Sequence, residues 1–141
     1  MVIDDRLVEK TKEATENPRE RMLLDRLHLL CQLYRGAKPQ RVSQETLDKA
    51  IERIREKLKA TDYTISQDDK RDYVNRLISV NNMCQSGARK NADAILHDLS
   101  YLESELGIVP SFPWYLERLL EEKVRDHNEK QLARGSRRWE S

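Results

Sequence analysis

The residue types able to do chemistry in this 141-residue chain are few and scattered. His28, Cys31, Cys84, His97 and His127 are all its histidines and cysteines. His28 and Cys31 stand three positions apart, close enough to share a helix face. A zinc site normally pairs close-spaced ligands at both ends. Cys84 and His97 instead fall in different predicted helices, with Gly87 between them. No metal and no cofactor are expected. Both cysteines lie in apolar stretches, where a free thiol behaves as a small hydrophobe. They are expected to be reduced and in the core, which fits a reducing compartment and a cytoplasmic location.

Nucleophilic catalysis has no marker either: there is no glycine-flanked serine and no P-loop. Arg21 precedes His28 by seven positions. That spacing is similar to one found in the HEPN proteins, a superfamily of small all-α RNases. The resemblance implies a metal-independent nuclease, with arginine holding a phosphate and histidine moving a proton. With 26 Lys and Arg in the chain, such a pair also arises without function. Asp25, His28 and Gln32 then read as a solvated polar strip. The acid pairs Asp4-Asp5, Asp68-Asp69 and Glu121-Glu122 are adjacent, and adjacent positions diverge on a helix. They read as solubilising or helix-start charge, and no catalytic residue is assigned.

Local basic clusters carry more information. Arg35, Lys38 and Arg41 have no acid between them. Arg89 and Lys90 are placed in the first turn of a helix after Gly87, where the dipole is already positive and cations are unfavourable. Such placement suits an anionic partner, because free N–H groups gather there too. These five residues are the candidate nucleic-acid or anion contacts. A further group, Arg134, Arg137, Arg138 and Trp139, is the candidate partner-binding segment, since arginine and tryptophan anchor well in protein grooves. Phe112, Trp114 and Tyr115 cluster at a proline-rich turn and are expected to pack over a bundle end.

The elements that must position these residues are helices. Asn17-Pro18 is a helix start, with asparagine as cap and proline at the first position. Arg19 to Arg35 is the most apolar segment, and its wide stripe includes Met22, Leu23, Leu24, Leu27, Leu29, Leu30, Cys31, Leu33 and Tyr34. That width predicts a central, most buried helix. Ser43 caps a helix over 44–60 with a clean face of Leu47, Ala50, Ile51, Ile54 and Leu58. Ser66 opens the next, whose face takes in Tyr73, Val74, Leu77, Ile78, Val80, Met83 and Cys84. A gapless likeness between 42–54 and 65–77 follows from their shared capping chemistry. Ala88 to Leu106 forms another helix, ended by Gly107 in a left-handed cap. The last begins near Ser111–Pro113, passes Leu116, Leu119, Leu120 and Val124, then loses apolar content. Residues 4–16 are a weaker candidate in which Leu7 is the clearest apolar contact.

The predicted fold is therefore all-α: a bundle of about five amphipathic helices, a weak extra N-terminal helix and a frayed C-terminal tail. Its parts are a weak N-terminal helix (1–17), the bundle (18–127) and a flexible basic tail (128–141). Charged residues are 36% of the chain, mean hydropathy is −0.85 and net charge is +1. The balanced charge does not demand a nucleic-acid role. No apolar run reaches the roughly 18 residues of a membrane span, and the N-terminus lacks the pattern of a secretory signal. The function expected is a small non-enzymatic module that binds another protein as regulator, inhibitor or assembly subunit, with homo-oligomerisation open. Behind it stands a nucleic-acid-backbone-binding subunit of a ribonucleoprotein or DNA-associated complex. A nuclease-like enzyme comes third.

Overall fold

The computed structural model describes residues 4–60, 65–87 and 90–140, with side chains through residue 129. Among the described residues it has six α-helices, one short 3-10 turn and no strand. The helices are α1 (Asp5–Ala14), α2 (Pro18–Leu33), α3 (Gln44–Ala60), α4 (Gln67–Gly87), α5 (Ala92–Leu106) and α6 (Leu116–Glu140), with the 3-10 turn at Pro113–Tyr115 before α6. The all-α class follows the sequence pattern, and the N-terminal candidate supplies the sixth helix.

Local chemistry sets most helix starts. The Asn17 carboxamide accepts from the Arg19 amide at 3.0 Å, with Pro18 at the first helical position. Ser43 Oγ accepts from the Thr46 amide at 3.2 Å and Ser66 Oγ from the Asp69 amide at 3.1 Å. The two similar sequence segments thus share one capping device. Gly107 ends α5 at φ +72°, the left-handed conformation that only glycine adopts without strain.

Two compact units result. One is Met1–Ala37 with Leu116–Ser141, the other Lys38–Tyr115. In the first, α1, α2 and α6 pack on one another; in the second, α3, α4 and α5 do. Val8, Leu23, Leu24, Leu27, Leu119, Leu120 and Val124 are buried in the first unit. Leu47, Ile51, Ile54, Tyr73, Leu77, Val80, Ile95, Leu99 and Leu102 are buried in the second. There the Arg76 guanidinium lies 4.4 Å from the centre of the Tyr101 ring, and Tyr73 donates its hydroxyl to Glu105 at 2.9 Å. Both contacts tie α4 to α5. Phe112 and Tyr115 are buried as anticipated, with Phe112 edge-on to Trp114 at 5.8 Å.

Several expectations are corrected. α2 is not the most buried helix: it buries Leu23, Leu24, Leu27 and His28, while Met22, Leu29 and Leu33 are 56%, 65% and 71% exposed. α5 is the deeply buried one, from Ile95 through Leu99 and Tyr101 to Leu106. It also buries Ser100, Glu103 and Ser104, which a count of apolar residues does not register. In α4, Val74 and Ile78 are exposed, because Tyr73, Leu77, Val80 and Cys84 already fill the core-facing row. In α1 the buried positions are Val8 and Thr11, not Leu7. Thr11 and, just past the helix, Thr15 tolerate burial because each hydroxyl donates to the carbonyl four residues back. Outside these corrections, the backbone of α6 is helical to Glu140.

The two leucines of α2 separate the readings. Leu27→Ala should cost about 2–5 kcal/mol, since Leu27 is fully buried. Leu29→Ala should stay within about 0.5 kcal/mol. Urea unfolding of both variants measures the contrast; equal losses would put the core on the wrong face of α2.

Candidate functional site

Within the first unit the polar strip of α2 is solvated at Asp25 and Gln32 but not at His28. His28 is 5% exposed and sits against α1. Its Nε2 lies 3.0 Å from Asp5 Oδ1, and its Nδ1 lies 3.3 Å from Lys12 Nζ. A lysine ammonium only donates, so Nδ1 is the acceptor and Nε2–H donates to Asp5. Lys12 also reaches Glu9 at 2.8 Å and Asp25 at 2.9 Å. Arg35, at the end of α2, contacts the second Asp5 oxygen at 3.3 Å. The hydrogen bond from His28, then that from Arg35, holds the Asp5 carboxyl below its usual range. Burial alone would lower Lys12; its bonds to Glu9 and Asp25 outweigh that and raise it.

This cluster is poorly suited to catalysis. Both ring nitrogens of His28 are engaged by protein groups. Arg21 directs Nε and Nη2 at the Thr15 carbonyl, so the guanidinium caps the end of α1 rather than presenting its fork to a phosphate. Cys31 is a half-buried thiol whose pKa is pushed up to about 12, first by burial and then by the Glu117 charge. Burial raises Cys84 as well. A thiol so protonated is a poor nucleophile. Among the described residues no three His, Cys, Asp or Glu side chains are placed to hold a metal ion.

Reading α2 alone missed this cluster. Its signal lay in a second strip, Asp5, Glu9 and Lys12, which repeats at helical spacing on α1 and complements Asp25, His28 and Gln32. Only the pairing of the two strips shows that His28 and Lys12 are covered while the acids around them stay about half exposed.

The basic candidates separate. Arg35 belongs to the first unit and is engaged by Asp5, while Lys38, Arg41 and Lys90 belong to the second and are exposed. Lys90 precedes the N-cap Asn91, so it is not in the first turn as predicted: α4 ends at Gly87, with φ +138°, and α5 starts at Ala92. Arg89 lies outside the described residues. Arg134, Arg137, Arg138 and Trp139 fall on α6, and their side chains lie outside the described residues.

Two features remain: one that the sequence reading placed in the buried stripe of α2, and one that it did not single out. Met22, Leu29 and Leu33, with Arg26 between them, follow a four-three-four spacing and form one narrow stripe on α2. The stripe lies about half a helical turn from the buried Leu23, Leu24 and Leu27. The other feature is Glu103 in the second unit, 1% exposed. Its carboxylate accepts from the Ser111 amide at 3.2 Å and the Ser111 hydroxyl at 2.6 Å, which pins the connector after α5. Burial drives its pKa up to about 7, against the lowering effect of those bonds and of Arg53. No protein-family model, curated protein or solved structure matches this chain.

Glu103 makes a pH signature. Its folded pKa of about 7 exceeds the ordinary 4.5, so the native state holds the proton more tightly. Its contribution to stability is full below pH 4.5 and is lost as pH rises through 7. Glu103→Gln should flatten that part of the stability–pH curve, read from thermal melts. An unchanged slope would show that another group is responsible.

Proposed function

We propose that the protein is a non-enzymatic helical module that binds another protein, and that the outward stripe of α2 is a contact surface. The observation that carries this is the exposure of Met22, Leu29 and Leu33, each more than half exposed and all on one line. Single exposed apolar residues need no explanation, but an aligned set at coiled-coil spacing is what a partner helix packs against. Arg26 within the stripe favours an acidic residue opposite it and so gives the pairing a register. The engagement of both nitrogens of His28 and the protonated thiols support a binding role over an enzymatic one. The pairing of Arg35 with Asp5 supports ranking a protein partner ahead of nucleic acid. The basic end of α6, with Arg134, Arg137, Arg138 and Trp139, is a second contact in this reading.

The test is Leu29→Lys with Leu33→Lys. The variant should keep the wild-type circular dichroism and melting temperature and lose at least tenfold in affinity for the partner identified by cross-linking. Sedimentation of the wild type distinguishes a second copy from a different protein. A variant that unfolds, or that binds as well as wild type, would remove the stripe from the reading.

A further inference from the structure

In the second unit, α3 and α4 enclose an apolar groove of about 310 Å³. Leu58 and Leu77 are buried and form its floor, and Val74 and Ile78, 37% and 54% exposed, form a wall. The charged lining residues are all cationic: Arg55, Lys59 and Lys70; the remaining one, Asn81, is neutral. Arg55 shares its charge with Glu52 at 2.7 Å. Among the described residues no acid lies within ion-pair distance of Lys59 or Lys70, so the groove is basic at its rim and apolar at its base. Lys70 to Asn81 spans about 16 Å of α4, three helical turns.

We propose that this groove receives an acidic amphipathic helix of a partner protein, with apolar anchors at i, i+4 and i+7 seated between α3 and α4 and acidic flanks facing Lys59 and Lys70. The charge pattern and the length both fit that occupant. Its wall residues Val74 and Ile78 are exposed, whereas a small-molecule site buries most of its ligand. Its lining holds no aromatic side chain on which a nucleic-acid base could stack. It lies on the other unit from the α2 stripe and is independent of that surface.

The probe is a fluorescein-labelled alanine-based peptide with leucines at i, i+4 and i+7 and glutamates on both flanks. It is titrated by fluorescence anisotropy against the full chain. The peptide should bind more tightly than about 100 μM and weaken with added salt. A version with lysines in place of the glutamates should bind at least tenfold more weakly. Lys59→Glu with Lys70→Glu should reverse that preference, and Ile78→Asp should abolish binding. Leu29→Lys with Leu33→Lys should leave it intact, which separates this site from the α2 stripe. Exchanging the peptide's charge on the wild-type protein keeps the test valid even where a variant is unstable. Failure of the acidic peptide to bind, equal affinity for both peptides, or binding of dodecanoate or a short RNA in its place would overturn the proposal.

Discussion

Helix α2 offers apolar side chains on two nearly opposite sides, and hydrophobicity alone does not choose between them. Burying Leu23, Leu24 and Leu27 gains about 1.5–3 kcal/mol each, and Met22, Leu29 and Leu33 would offer a similar sum. The difference is His28. It lies on the inward side, and a buried imidazole without partners would cost about 1–3 kcal/mol. α1 supplies those partners as Asp5 and Lys12, and Arg35 and Asp25 complete the ring from α2. In the observed rotation of α2 this set is satisfied. The acids are about half exposed, so the ring adds little net stability. Its effect is on specificity, in the way a single polar residue sets the register of a coiled coil.

This division explains what was legible in the sequence. Capping residues act within one turn of chain, so Asn17, Ser43, Ser66 and Gly107 could be assigned from local pattern. The clean face of α3 was equally plain, because every apolar residue on it is used. α2 and α4 were misread in the same manner. Both carry more apolar residues than the neighbouring helices cover, and periodicity does not say which will be left out. The buried threonines of α1 and the serines of α5 failed in the opposite sense. They are polar by type, yet Thr11, Thr15 and Ser104 satisfy their hydroxyls on their own backbone and so count as small core residues. His28 and Glu103 were hidden for a third reason. Each depends on a partner distant in sequence or in the following connector, and no single-helix pattern contains that pairing.

The candidate sites lie where the core left surplus. The outward stripe of α2 and the wall of the α3–α4 groove are both built from aliphatic residues that a single-faced helix would not need. They differ in electrostatics. The stripe contains one cation, Arg26, while the groove is bordered by Lys59 and Lys70. A partner suited to one is therefore not suited equally to the other. Against these surfaces the titratable groups are held in structural roles: Asp5 and Lys12 orient a helix, and Glu103 secures a connector.

The division of the chain also orders its synthesis. Lys38–Tyr115 is continuous, so all of α3, α4 and α5 can leave the ribosome and assemble while α6 is still being made. α1 and α2 emerge before α3 but must wait for Leu116 onward to complete their unit. Closing so long a loop slows folding more than it reduces stability. During that interval α2 lacks the cover that α6 gives its apolar residues, and exposed apolar surface favours misassociation. The pairing of α1 with α2 through His28 is available throughout the wait. It needs no residue beyond Arg35, so α1 and α2 carry their own provisional clasp.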